Sequence, residues 1–266
     1  MSLSLTVTSA TGDVLAQSEA VSNPWSEIYL IYEPEYVEGD SVGITTTEPG
    51  HFIILALDDA MPPALVFMSG TSYSLKVPFG EKHMPYSTRA FAGTMHRLYA
   101  RYARPEEIAT RRNLAFNPYD AHGNEAIFPR AIANVETRGE AQFAARNAID
   151  GEKANNDHGS FPFTSWGINK DPAAELTVEF GREVAVDEAI IYLRADFPHD
   201  AWWNKASLSF SDGFTIEVDL VKTGEAQSIK FPPRKVTWAK IHSMIKADDP
   251  SPYPALTLLE VWGTEA

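Results

Sequence analysis

The chain contains no cysteine. That excludes disulfides, thiolate nucleophiles and cysteine-ligated zinc together. Positive charge is also scarce: 22 Lys and Arg stand against 36 Asp and Glu, a formal net charge of −14. Affinity for nucleic acid and for anionic membranes both comes from cations that neutralise phosphate, so neither is expected as a partner. No apolar run approaches the roughly 20 residues that a membrane helix needs. The opening stretch, MSLSLTVTSATGDVLAQSEA, has no basic region and little apolar length, so it does not read as a signal peptide. A complete chain of this kind is expected in the cytoplasm, although an excised part of a secreted protein would read the same. Enzyme signatures are missing as well. There is no phosphate-binding Walker loop, no glycine fingerprint after a strand, no HExxH and no nucleophile elbow. The expectation is a protein that is not an enzyme.

What is present describes a globular β protein. Apolar residues make up 44% and charged residues 22%, the balance of a folded chain. A length of 266 residues suits one large domain or two modest ones, each able to bury a core. In YSLKVPF, residues Tyr73, Leu75, Val77 and Phe79 alternate with polar neighbours, the period of a half-buried strand. ELTVEFG repeats this with Leu176, Val178 and Phe180. SLSFSDGFTIEVDL reads as a hairpin turning at Asp212-Gly213. FIILAL, ALVFM, AIIYL and LTLLEVWG are short continuous apolar runs that suit central strands, though periodicity alone does not exclude buried helix.

Helical signals are few. RPEEIATRRNLA carries Pro105 at a first helical position, Glu106 and Glu107 in the first turn and Arg111 and Arg112 towards the end. A second short helical turn is expected in AQFAARNAI, closed by Asp150-Gly151. The expected architecture is all-β: two β-sandwich (jelly-roll) domains, residues 1–103 and 104–266, joined by a short helical linker. The first domain offers no site that the sequence can name.

The second half carries an ordered set of motifs: ARNAIDG, TSWG, LTVEFGREVAVDEAIIYLR, SLSFSDG and LTLLEVWG. From Asn113 to Gly263 it resembles the discoidin, or coagulation-factor type C, group with its galactose-binding-like jelly roll. The whole chain is similar to bacterial two-domain proteins described as carbohydrate-binding. The resemblance implies a jelly roll whose loops at one end bind a ligand, often a sugar. It also implies a structural calcium beside the Asp-Gly turn, with Asp150 and Glu260 at the family positions that bracket the ion. Its middle ligands stay unassigned, with Asn155, Asn156 and Asp157 as candidates. No other cofactor is required.

One loop concentrates recognition chemistry: RADFPHDAWWNK, Arg194 to Lys205. Exposed tryptophans carry an aggregation cost and need a reason. An indole face accepts the C–H face of a sugar ring, while Arg194, Asp196, His199, Asp200 and Asn204 supply donors and acceptors for hydroxyls. Trp202 and Trp203 are both candidates for the stacking surface. Being adjacent on an extended chain they point to opposite faces, so one of them is expected in the core. His158, in KANNDHGSFPFTSWG, is a further candidate, whereas Trp166 is expected to plug the core. Tyr253, in SPYPALT, borders the expected ligand end.

The same loop would serve a protein-interaction module, and a homo-oligomer stays open. A glycan hydrolase using Asp58, Asp59 or Asp200 is the weakest reading, because adjacent carboxylates on a strand end diverge.

Overall fold

The computed structural model describes residues 2–18, 27–154, 161–194 and 201–266. Alternation and continuous apolar runs alike form strands. The first half holds β1 (Leu3–Thr8), β2 (Val14–Gln17), β3 (Ile28–Tyr32), β4 (Ser41–Thr46), β5 (His51–Ala56), β6 (Ala64–Met68), β7 (Ser72–Lys76) and β8 (His96–Tyr102). A helix, α1 (Pro105–Ala109), follows. Then come β9 (Arg112–Asn113), β10 (Ile127–Phe128), β11 (Arg130–Ala133) and β12 (Trp166–Gly167). The long strands close the chain: β13 (Leu176–Leu193), β14 (Trp203–Phe210), β15 (Thr215–Asp219), β16 (Gln227–Lys246) and β17 (Ala255–Glu265). The fold is all-β, as the patterning requires. Among the described residues no helix is long and apolar enough to cross a membrane.

The N-terminal sandwich pairs a four-stranded sheet, ordered β2-β1-β4-β7, with a five-stranded one, ordered β10-β6-β5-β8-β3. Every second residue faces inward, so Leu3, Leu5, Val7, Ile53, Leu55 and Val66 meet in one core. The C-terminal sheet runs β12-β17-β13-β16-β14-β15, with β11 beside β13 and β9 beside β17. Its centre is the antiparallel β13–β16 ribbon. The pairing slips between Glu179 and Val184, where Gly181 adopts φ +68°. A side chain at Gly181 would come within 2.5 Å of the Phe128 ring, so this bend tolerates only glycine. The two halves of β13 serve one core with Trp166, Trp203, Phe210 and Leu259.

Helix α1 is shorter than the charge pattern of RPEEIATRRNLA predicts. Arg104 offers no capping oxygen, but Glu107 does the work in reverse. Its carboxylate accepts the Arg104 N–H at 2.8 Å and both guanidinium nitrogens of Arg101 at 2.6 and 2.7 Å. The helix stops at Ala109 because the next residues have better partners. Arg112 and Asn113 pair with Gly263 and Trp262, and the Arg112 guanidinium meets Glu265. AQFAARNAI forms two 3-10 turns, Ala141–Phe143 and Ala145–Ile149, with Gly151 at φ +87° behind them.

The chain after α1 contributes to both cores. Leu114 and Ala115 lie in the second, Tyr119 and Ile127 in the first. β10 extends the N-terminal sheet by pairing with β6. Tyr73 Oη donates to the Tyr119 carbonyl, and the Arg146 guanidinium lies 4.7 Å from the Tyr86 ring. Arg182 stands 4.7 Å from the Phe52 ring and 5.2 Å from Phe67. The sandwiches therefore interlock.

Candidate functional site

A cavity of about 140 Å³ opens where four separate segments of the C-terminal sandwich meet. Thr137 and Arg138 come from the turn after β11. Gly167 to Lys170 lead out of β12. Arg194 directly follows β13, and Tyr253 to Ala255 lead into β17. Backbone bonds lock these segments together. The Arg194 N–H donates to the Ala255 carbonyl at 3.0 Å, and the Asn169 N–H donates to Thr137 Oγ1 at 2.9 Å. Trp166, directly before the lining residue Gly167, is fully buried, and its Nε1 donates to the Val135 carbonyl at 2.9 Å. The sequence expectation for Trp166 holds.

The walls combine apolar and hydrogen-bonding surface. Tyr253, Pro254, Phe143 and Ile168 supply the first; Thr137, Asn169, Lys170, Arg138 and Arg194 the second. Arg194 is 4% exposed, with its guanidinium carbon 3.4 Å from the Phe163 ring centroid. That stacking fixes the fork of donors in one plane. Lys170 Nζ lies 4.5 Å from the Tyr253 ring. Arg138 is held by Glu140, with a second contact at 2.8 Å from Nη2. No carboxylate lines the cavity among the described residues.

Of the residues the sequence nominated, Arg194 and Tyr253 are found in this wall. Trp203 is corrected. It is 1% exposed and belongs to the core, because the inward face of β14 carries Trp203, Ala206, Leu208 and Phe210. A buried indole offers no face to a ligand. Trp202 is half-buried against the same core and stands outside the cavity lining. Asn204 is exposed on β14 and is likewise not in the lining, its carbonyl accepting the Leu220 N–H at 2.9 Å. His158, Asp196, His199 and Asp200 lie outside the described residues. Sequence reasoning missed Arg138, Asn169 and Lys170. The signal was GINKD, an Asn-Lys turn directly after the buried TSWG.

The calcium expectation meets a different arrangement. Glu260 is buried, and both its oxygens already carry donors. Lys153 Nζ sits 2.5 Å from Oε1, and Trp262 Nε1 donates to Oε2 at 2.7 Å. Asp150 Oδ1 accepts the Glu152 N–H at 2.9 Å. Burial pushes its carboxyl up to about 7, against the nearby Arg146 guanidinium. Calcium takes about six to eight oxygens. The described residues hold no group of three or more acidic or histidine ligands. The candidate middle ligands Asn155, Asn156 and Asp157 lie outside the described residues, and the described cation at Glu260 is the Lys153 ammonium.

Of the carboxylates considered for hydrolysis, Asp58 has structural work, and Asp200 lies outside the described residues. Asp58 is buried, and its two oxygens accept the Ala60 and Phe91 N–H groups at 2.8 Å each. His242 is bonded to Ser209 and Ser243 at 2.7 and 2.9 Å, and burial lowers its pKa.

No protein-family model matches the chain, and no curated protein matches it. Among solved structures, it is similar to chitosan-binding module 1 from a chitosanase/glucanase of Paenibacillus sp. IK-5. The identity is 20% over 57% of this chain and 99% of that one, with a TM-score of 0.42. It is also similar to the family 32 carbohydrate-binding module of C. perfringens NanJ in complex with galactose. There the figures are 21%, 50% of this chain, 91% of that one and a TM-score of 0.39. A third is the lectin domain of lectinolysin complexed with Lewis B antigen, at 17%, 58%, 98% and 0.43. These neighbours are sugar-binding modules with the galactose-binding-like fold. Likeness at this level carries no ligand across to this chain.

Proposed function

We propose that this chain is a non-catalytic carbohydrate-binding protein whose ligand sits in the cavity beside Arg194 and Tyr253. One observation carries the reading: a small concave site that joins one exposed aromatic face to a ring of fixed donors. A sugar ring needs that pairing, an apolar face edged with hydroxyls. Pockets for drug-sized ligands run to about 300 Å³ and above. A cavity of about 140 Å³ suits one sugar unit, with any further units outside.

Tyr253 is 42% exposed, so its removal leaves the core intact. Tyr253→Ala is expected to weaken sugar binding about tenfold, roughly 1.4 kcal/mol, with an unchanged melting temperature. A glycan array followed by titration of the whole chain checks this. Full affinity in Tyr253→Ala would move the site elsewhere.

A further inference from the structure

A second concavity, of about 280 Å³, lies on the N-terminal sandwich. Sheet register builds it. Across β3, β8 and β5, Tyr29 stands opposite Tyr99, and Tyr99 opposite Ala56. Their chain neighbours Ile28, Leu98, Ala100 and Leu55 turn into the core, so this row lies on the outer face of the sheet. The small side chain of Ala56 leaves a trough beside the two rings. Met61 and Pro63, in the turn from β5 to β6, line the side across β5 from them. That turn is fixed in place. Asp58 accepts the Ala60 and Phe91 N–H groups, and Tyr119 Oη donates to the Pro62 carbonyl at 3.0 Å.

The rings are held by their hydroxyls. Tyr29 Oη donates to Glu27 Oε2 at 2.6 Å, and Tyr99 Oη donates to Oε1 at 3.2 Å. Arg101 Nε donates to Tyr99 Oη at 2.8 Å. Both hydroxyls are thus satisfied within the protein, and the ring faces are what the pair offers to a ligand. The ring centroids stand 5.3 Å apart, with the planes inclined by 37°. Tyr29 is 49% exposed, and an aromatic surface left open in this way carries an association cost that needs a reason. The rim carries both signs of charge. Arg97 and Asp59 line the trough, both exposed, and neither enters an ion pair among the described residues. A cation would meet Arg97 and an anion Asp59, whereas a neutral polyol both donates and accepts.

We propose that this trough is a second saccharide site, built on the N-terminal sandwich, and that it takes a short run of a neutral sugar chain. Tyr29 and Tyr99 receive the C–H faces of the rings, and Arg97 and Asp59 bind hydroxyls at the rim. The trough has twice the volume of the cavity beside Tyr253, which gives room for two linked rings. It stands on its own lining and goes beyond the reading of that cavity.

The test is calorimetric titration of the whole chain with cellotetraose, xylotetraose, mannotetraose and chitotetraose. Tyr253→Ala disables the first cavity and isolates the trough. In that background at least one tetrasaccharide is expected to bind, with one site per chain. Adding Tyr29→Ala should weaken it about tenfold. Ala56→Leu, which fills the trough from its floor, should weaken it at least as much. Tyr29→Phe should keep full affinity, because the hydroxyl faces Glu27 and only the ring is used. Binding that survives both Tyr29→Ala and Ala56→Leu overturns the proposal. So does a dimer, seen by light scattering, that Tyr29→Ala dissociates, since the rings would then serve a second copy of the chain. Loss of all binding in Tyr253→Ala alone removes the trough and keeps the cavity. Binding untouched by Tyr253→Ala but weakened by Tyr29→Ala keeps the trough and removes the cavity. If none of the four binds the parent chain, both fall.

Discussion

Lys153→Met tests whether an internal ammonium replaces a metal at Glu260. Glu260 lies within β17, with its side chain 6% exposed. Its oxygens have two described partners, Lys153 Nζ and Trp262 Nε1. Methionine keeps much of the length of Lys153 and deletes the charge, together with the ammonium's contact 4.7 Å from the Tyr192 ring. Removing one partner of a fully buried ion pair costs about 3–5 kcal/mol, while exposed pairs are worth about 0–1. This pair is buried on the glutamate side only, since the lysine side chain is 46% exposed. Water shares the load, and the expected cost is about 2 kcal/mol. For a cooperative unit of about 150–250 residues that lowers the melting temperature by about 4–8 °C. Adding Glu260→Gln to Lys153→Met removes the unpaired charge, so the double variant should recover most of the loss. Thermal melts and urea titrations in chelator and in millimolar calcium supply the comparison. The reasoning is refuted if Lys153→Met loses nothing in chelator, or if the parent protein itself melts lower in chelator than in calcium. Either result would return Asp150 and Glu260 to a metal.

Trp203→Ala should destabilise by about 3–5 kcal/mol, because it empties a core position, and should lower the urea midpoint before any effect on sugar binding appears. Lys170→Gly should leave the melting temperature unchanged or raise it, since releasing a left-handed lysine returns up to about 1 kcal/mol. Asp120 gives a pH prediction. Burial lifts its carboxyl from 3.8 to about 6, against hydrogen bonds from Ala131 and Asn124. The folded state therefore holds this proton more tightly than the unfolded one. The resulting stability is complete below about 4 and is lost as pH rises through about 6, a swing of about 3 kcal/mol. Urea titrations from pH 4.5 to 7.5 should show stability falling with pH, and Asp120→Asn should flatten that slope while costing the bond from Asn124. An unchanged slope would discount Asp120.

Strand positions were legible because burial of one sheet face imposes a period of two. Leu176, Val178 and Phe180 are buried as their alternation demands, and the Asp212-Gly213 turn closes β14 on β15 with Gly213 at φ +88°. The same rule foretold that one of two adjacent tryptophans would be core, without saying which. Helix α1 was overread because charge placement favours helix locally, whereas Arg112 and Asn113 answer to Glu265 and Trp262, some 150 residues away. The cavity was least legible. Arg194 and Tyr253 stood out as single residues, but Thr137, Asn169 and Lys170 join them only through sheet register. No local pattern encodes that a turn after β12 lies against the entry to β17.

That dependence on register explains why a small cavity sits on so long a ribbon. Its four wall segments have no shared helix or hairpin to set their spacing. What sets it is the pairing of β13 with β17, from Val184 opposite Glu265 to Leu193 opposite Leu256, and of β12 with the start of β17. A slip by one residue would turn Leu193 outward and carry Arg194 off Phe163. The far end of this pairing is braced from outside the sandwich. Arg182, beside the Gly181 bend, is bonded to Glu265 at 2.7 and 2.8 Å and lies on Phe52 and Phe67 of the N-terminal domain. The interlock thus fixes the point from which β13 runs to Arg194, so the N-terminal sheet bears on the cavity through register.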